Sequence, residues 1–409
     1  MNQLEYILSG TAYTRIHAMA ADPGHTAFAT QAFRCIKEQT NHKFGLLYNA
    51  FIEKRFAKNM KMFGVDSVHA DSGGLQIVTQ GLTATPETKD SVYENQAAYA
   101  DLGMCFDEIP VKTAGAVSAR NDVLARFFDM DGLEQAARQT GRNLVRQIEV
   151  YQNAKSTCKP ILIAQGNCYD TYMRWTDWLL EEIPDDMKSS IGGVAMGAAA
   201  LGTGPLEDVE RAFIYSKLNI EKTHLHVLGV GAIRRILPYL IFIKTGLYEN
   251  ATVSYDSTSH SSGIELGNYY SNIGLKQFPR SYSYVHDLIY ADALPIAGVD
   301  LSEKEFHRIL NTGRKKYSEI GGDETTFYKV RLSAIVASVI NFCKDVDKLL
   351  ESKKALQGYL AGNTALTPLN SLFDVETIDQ YNKWKASAGR YLKTSRIRSA
   401  APGSLEDFF

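Results

Sequence analysis

Asp256 closes the apolar run Ala251-Thr-Val-Ser-Tyr255 and precedes the polar, Gly-ended stretch Ser257-Thr-Ser-His-Ser-Ser-Gly263. A carboxylate where a buried strand stops can act as a nucleophile, because the strand holds it rigid while the following loop admits substrate. Taken alone, a strand-ending Asp is more often a turn or cap residue. Here the layout recurs at His69-Ala-Asp71-Ser-Gly-Gly74, Met104-Cys-Phe-Asp107-Glu108, Ile161-Leu-Ile-Ala-Gln165-Gly166, Gly192-Gly-Val-Ala-Met-Gly197 and Val227-Leu-Gly-Val-Gly231. Each run ends in a carboxylate, an amide or a bare glycine backbone, the groups that covalent, acid/base and hydrogen-bond chemistry needs.

Helix-like stretches separate these runs. Pro86 to Ala100 is entered through Thr85, with the proline suited to a first turn. Leu133 to Asn153 carries Leu144, Val145, Ile148 and Tyr151 at helical spacing, and Tyr169 to Glu182, Glu207 to Leu218 and Ala232 to Thr245 fit the same pattern. Strand, helix and strand with short connections predict a parallel sheet. In an open doubly wound sheet the functional ends would cluster at one switch point. Their recurrence over six units predicts an α/β fold of the closed (β/α)8 TIM-barrel type, over residues 1–300. Residues 301–409 are Lys-, Glu- and Leu-rich and predict a helical C-terminal region completing or flanking the barrel. The basic cluster Lys385, Arg390, Lys393, Arg396 and Arg398 reads as a solvated helix face or as a phosphate-contacting strip.

The 409 residues are 45% hydrophobic and 22% charged, enough for one large core or two ordinary ones. A net charge of −2 argues against a nucleic-acid coat and is compatible with a local basic groove. Five scattered cysteines, Cys35, Cys105, Cys158, Cys168 and Cys343, form no CxxC pair, which suits reduced thiols in a cytoplasm and offers no thiolate zinc site. Met1-Asn-Gln-Leu-Glu5 lacks the basic and apolar regions of a signal peptide. No run approaches the roughly 18 apolar residues of a membrane span. The expectation is a cytoplasmic protein with no membrane contact and no cofactor.

Read together, Asp71-Ser-Gly-Gly-Leu-Gln76, Phe106-Asp107-Glu108, Gln165-Gly166, Gly192-Gly193-Val-Ala-Met-Gly197, Gly229-Val-Gly231 and Tyr255-Asp256 resemble the tRNA-guanine transglycosylase family across roughly residues 64–265. The resemblance lies in the order and spacing of the set, since any single motif is nearly uninformative. It implies a barrel that exchanges a purine in nucleic acid for a 7-deazaguanine without cutting the backbone. Asp256 then matches the nucleophile and Asp71 the carboxylate that moves protons to the leaving base and from the incoming one. Two carboxylates in one mouth would have their ionisations pushed apart, which suits that division. Asp107, Gln165 and the backbone of Gly192 and Gly193 match the groups that read the purine edge, with Ser72, Leu228 and Gly229 also on the base. Leu75 stands where the family usually has an aromatic residue.

Three departures bear on the substrate. The family's CxCxxC motif and later histidine, which hold structural zinc, are missing, because Cys343 is the only cysteine beyond Asp256. No metal is therefore expected. Ala198 stands where bacterial members carry a glutamate that favours an aminomethyl substituent, so a neutral 7-cyano base is expected to fit better. Ser259-His260-Ser261-Ser262 replaces an Arg-bearing loop, and hydroxyls do not clamp phosphates as arginine does. These departures favour the DNA-modifying branch, with DNA and a free 7-deazaguanine base as partners and tRNA as the alternative. Expected polymer contacts are Arg234, Arg235, Lys244, Lys276 and Arg280, and a homodimer or helper protein is compatible. A silent nucleic-acid-binding subunit is a rival of another class. A metal-dependent hydrolase on His224 and His226 is more distant, because that pair opens its strand and reads as structural.

Overall fold

The computed structural model describes residues 4–9, 23–52, 54–75, 77, 82, 84–111, 128–197, 205–221, 223–248, 251–271, 275–277, 284–312 and 319–394. Eight parallel strands close in chain order: β1 Leu4–Leu8, β2 Lys43–Asn49, β3 Ser67–Asp71, β4 Leu102–Met104, β5 Lys159–Ala164, β6 Gly193–Met196, β7 His224–Val227 and β8 Thr252–Ser257. Pairing of β1 with β8 closes the ring and sets Ile7 against Asp256. Pairing of β2 with β3 sets Asn49 against Asp71. The fold is the expected (β/α)8 barrel with additional C-terminal helices.

Each of the first seven strands is followed by a helix outside the ring. Among them are α1 Pro23–Gln39, α2 Lys54–Met60, α3 Pro86–Tyr99, α4 Leu133–Asn153, α5 Tyr169–Glu181, α6 Pro205–Lys217 and α7 Ile233–Thr245. Thr85 caps α3 by accepting from the Thr88 N–H, with Pro86 in the first turn where its missing N–H costs nothing. On α4, Gln147 Nε2 donates to the Gly103 carbonyl at 3.0 Å and to Tyr151 Oη at 2.8 Å, so a helix face of polar residues packs on β4 through hydrogen bonds.

Beyond the ring lie α8 Tyr284–Ala297, α9 Glu303–Asn311, α10 Glu324–Leu350, α11 Lys353–Ala361, α12 Ile378–Ser387 and α13 Gly389–Thr394. By length and composition α10 is apolar enough to cross a membrane, unlike any run the sequence suggested, but 78% of its most apolar stretch is buried inside the fold. Phe342 of α10 packs its ring on Tyr6 of β1 and Tyr255 of β8, at 6.1 and 6.0 Å. Tyr381 of α12 stacks on Phe213 of α6 at 4.4 Å, and Lys385 pairs with the buried Glu210 at 2.9 Å. Lys385 is thus a strut between α12 and the barrel wall, which corrects its place in a phosphate-contacting strip. Arg396 and Arg398, and the side chain of Lys393, lie outside the described residues.

Candidate active site

Parallel closure brings the C-terminal ends of the strands to one mouth. There Asp256 is 7% exposed and is surrounded by donors. Oδ1 accepts the Gly229 N–H at 2.8 Å, and Oδ2 accepts the Ser9 hydroxyl at 2.9 Å. His226 Nε2 stands 3.6 Å from Oδ1. Burial alone would push this carboxyl up; His226, Gly229 and Ser9 together outweigh it and hold the group below the usual carboxylate range.

Asp71 moves the opposite way. Burial, then the negative charges of Asp107 and Asp256, push its carboxyl up to about 7, against the pull of the Gly73 and Ser72 N–H groups. Asn49 Nδ2 donates to Asp71 Oδ2 at 3.3 Å from the adjoining strand. Ser72 is 1% exposed, and its hydroxyl accepts from the Gly74 N–H at 3.4 Å, so this residue supports Asp71 and the turn after it.

Asp107 and Gln165 form a second unit. Gln165 Nε2 donates to Asp107 Oδ2 at 2.6 Å, which fixes the amide's orientation. Burial pushes Asp107 up to about 6, with the Gln165 hydrogen bond opposing. The other amide atom, Gln165 Oε1, is buried with no hydrogen-bond partner. An orphaned acceptor beside a carboxylate makes a short edge of acceptors that suits a ligand with adjacent N–H donors. The floor under that amide is Gly197, where an added Cβ would lie 2.1 Å from Gln165 Cδ, Nε2 and Oε1.

Gly192 and Gly193 do not join this group. Gly193 opens β6 at the opposite end of the barrel, pressed against the His224 carbonyl, and Gly192 lies against Lys159 at the start of β5. The glycine that reaches the mouth is Gly197, three residues beyond the start of the strand interior. Leu228 is half-buried in the turn after β7 and Gly229 follows it with φ of 69°.

The basic residues divide. Arg235 forks onto Asp208, Nε to Oδ2 and Nη2 to Oδ1 both at 3.1 Å, and Nη1 donates to the Gly229 carbonyl. It is an internal brace, not a free polymer contact. Lys244 sits in the last turn of α7, and a helix that returns antiparallel to its strand ends at the barrel's far face. Arg234, in the first turn of α7, is exposed on the mouth side. The side chain of Lys276, and Arg280 and Ala198 entirely, lie outside the described residues.

The loop after Asp256 also turns inward. His260 and Ser261 are fully buried; His260 Nδ1 meets Ser338 Oγ of α10 at 3.1 Å, and Ser261 Oγ donates to the Ser9 carbonyl. This loop locks β8 to β1 and does not form an outer surface. His224 and His226 are not an isolated pair either. His69 from β3 joins them, each offering a ring nitrogen within 4.8 Å of the others, as a metal site would. His224 Nε2 and His226 Nδ1 are both engaged with Ser254 Oγ at 2.7 Å, whereas His69 Nε2 and His226 Nε2 are buried with no hydrogen-bond partner.

No family model matches this chain, and no curated protein matches it. The assignment rests on the molecule itself: a TIM barrel, a fold common among enzymes, with three carboxylates and a paired amide in its mouth. The sequence reading missed Ser9, Asn49 and His69, and named Gly197 only as the end of its run. A signal for the first two was present, because Leu4-Glu-Tyr-Ile-Leu8 and Phe44-Gly-Leu-Leu-Tyr48 are apolar runs that end in polar residues.

Proposed function

We propose that the protein is a base-exchange transglycosylase that replaces guanine in DNA with a 7-deazaguanine, the 7-cyano base in preference to the aminomethyl base. One observation carries this reading: neighbouring carboxylates in a barrel mouth are driven in opposite directions, Asp256 down and Asp71 up to about 7. One is a ready nucleophile and the other a proton carrier near neutral pH. Asp256 attacks C1′ as the C1′–N9 bond breaks, and Asp71 gives its proton to the departing guanine. The incoming base then returns an N9 proton to Asp71, and its N9 displaces Asp256 from C1′. The acceptors Asp107 and Gln165 Oε1 suit the N1–H and exocyclic amine shared by guanine and 7-deazaguanines.

The DNA assignment is supported by the lack of a thiolate zinc set beyond Asp256, and by a post-nucleophile loop that faces inward and carries no arginine. Retaining a nucleophile held ionised by two hydrogen-bond donors and the nearby His226 ring favours an active enzyme over a silent subunit. The test is incubation with labelled guanine or 7-deazaguanines and either DNA or tRNA. Label is expected in DNA and is expected to vanish for Asp256→Asn. Label in tRNA alone moves the enzyme to the RNA branch. Asp256→Asn retaining more than a few per cent of turnover removes Asp256 as nucleophile.

A further inference from the structure

The barrel axis holds a string of ionisable side chains that base exchange does not itself require. At the lower end Ser67 Oγ donates to Glu5 Oε1 at 2.5 Å, and Glu5 Oε2 lies 3.4 Å from His69 Nε2. The His69 ring stands 5.5 Å from that of His224 and 5.4 Å from that of His226. His224 Nε2 and His226 Nδ1 each meet Ser254 Oγ at 2.7 Å, and His226 Nε2 faces Asp256 Oδ1 at 3.6 Å. These residues come from β1, β3, β7 and β8, and non-adjacent strands can touch only inside the ring.

Proton counting gives the string a direction. Ser254 has one hydroxyl hydrogen, so of the two imidazole nitrogens on it one accepts and the other donates. Asp256 breaks the tie. It accepts from Gly229 N–H and Ser9 O–H, and an ionised carboxylate only accepts, so the nitrogen facing it carries a hydrogen. Burial keeps His226 neutral, which leaves its Nδ1 bare to accept from Ser254 Oγ–H. The Ser254 lone pair then takes Nε2–H of His224.

We propose that His224, Ser254 and His226 form a one-way hydrogen-bond relay that ends on Asp256 Oδ1, making His226 a positioning residue that marks Oδ2 as the oxygen that bonds C1′. This rests on Asp256 being the nucleophile. Oδ1 is approached by two donors fixed by backbone and ring, whereas Oδ2 holds one rotatable hydroxyl that can turn away. Donors on Oδ1 also stabilise the carboxylate when it leaves C1′ in the second half-reaction. The 3.6 Å approach is longer than a hydrogen bond, as catalytic contacts often are before substrate binds.

The experiment has two arms on the full-length protein. Nitrogen-15 NMR of the imidazoles is expected to show both His224 and His226 as neutral Nε2–H tautomers at neutral pH. This arm needs no activity, so it stands or falls apart from the transglycosylase reading. The second arm compares His226→Leu with His226→Gln, whose amide can still donate to Asp256. Other groups that face or couple to Asp256 are Ser9, Gly229, Asp71 and Tyr6, and they are left intact in both variants. His226→Leu is expected to move the acidic limb of exchange to higher pH and to lower kcat by roughly 100-fold, with KM for the free base little changed. His226→Gln is expected to recover most of both. An Nδ1–H tautomer at His226, stoichiometric metal on the imidazoles, or an unmoved acidic limb in His226→Leu would overturn the relay.

Discussion

Gly229 donates its backbone N–H to Oδ1 of Asp256 at 2.8 Å, and its own carbonyl accepts from Arg235 Nη1 at 2.5 Å. The candidate nucleophile is thereby tied through one residue to α7 and, through Asp208, to α6. Asp208 also binds Arg211, which is fully buried, at 3.0 Å. Gly229 has a φ of 69° with open space where a Cβ would stand, so glycine is there for its conformation and not for room.

Adjacent arginines should therefore behave differently. Arg235→Ala removes the brace on Gly229 and half of the partners of buried Asp208, and should cost about 1–3 kcal/mol. Exchange should fall with it. Arg234→Ala should stay within about 0.5 kcal/mol in stability, weaken polymer binding and reduce its salt slope by about one. Urea melts and binding titrations at several salt concentrations measure both. Equal losses of stability would show that the brace carries no weight.

Asp71 gives a pH prediction with a definite sign. Its folded pKa is raised from 3.8 to about 7, so the folded protein holds a proton that the unfolded chain gives up near pH 4. Stability is therefore lost as pH rises from about 4 to 7, and Asp71→Asn should melt higher than the natural protein at pH 8. In catalysis the protonated form serves the departing base, so exchange should fall as pH rises through about 7. Asp107→Asn removes a negative neighbour, lowers the Asp71 pKa and should shift that limb to lower pH. A limb that stays in place would separate Asp107 from Asp71.

Much of the fold was legible because strand ends and helix periods are local. Leu133–Asn153 begins and ends where its apolar spacing does, and Asp71, Asp107, Gln165 and Asp256 meet at one mouth because each follows a buried run. What depends on closure was not legible. His69 is 155 positions from His224 along the chain, by subtraction of their numbers, and only the ring puts them in contact. Arginine and lysine types likewise did not reveal direction: Arg234 faces solvent, Arg235 faces Asp208, and Lys244 is carried to the far end by ten residues of helix, counted from Arg234.

Gly103 offers a test of packing away from the mouth. A Cβ there would lie 1.9 Å from Tyr151 Oη, which donates to Gln96 Oε1 at 2.8 Å in a buried network with Gln147. Gly103→Ala must displace that hydroxyl and should cost about 1–3 kcal/mol by overpacking. The variant should melt lower and, at temperatures where it remains folded, keep its pH profile. A melting temperature equal to that of the natural protein would mean that Tyr151 can move aside without loss.

Gly197 and Gly193 test where base reading occurs. Gly197→Ala places a methyl 2.1 Å from the Gln165 amide, so Gln165 must swing away from Asp107 and the orphaned Oε1 leaves its place. The expected result is a rise in KM for the free base of roughly 10-fold or more, equivalent to at least about 1.4 kcal/mol of binding. The pH limb set by Asp71 should move little. Gly193→Ala meets the backbone carbonyl of His224 at 2.2 Å, with φ of 154° and no flexible side-chain end to yield. It should destabilise the barrel and leave base affinity intact in the folded fraction. Calorimetric titration of guanine into both variants separates the outcomes. Lost affinity in Gly193→Ala with normal affinity in Gly197→Ala would return base reading to the start of β6.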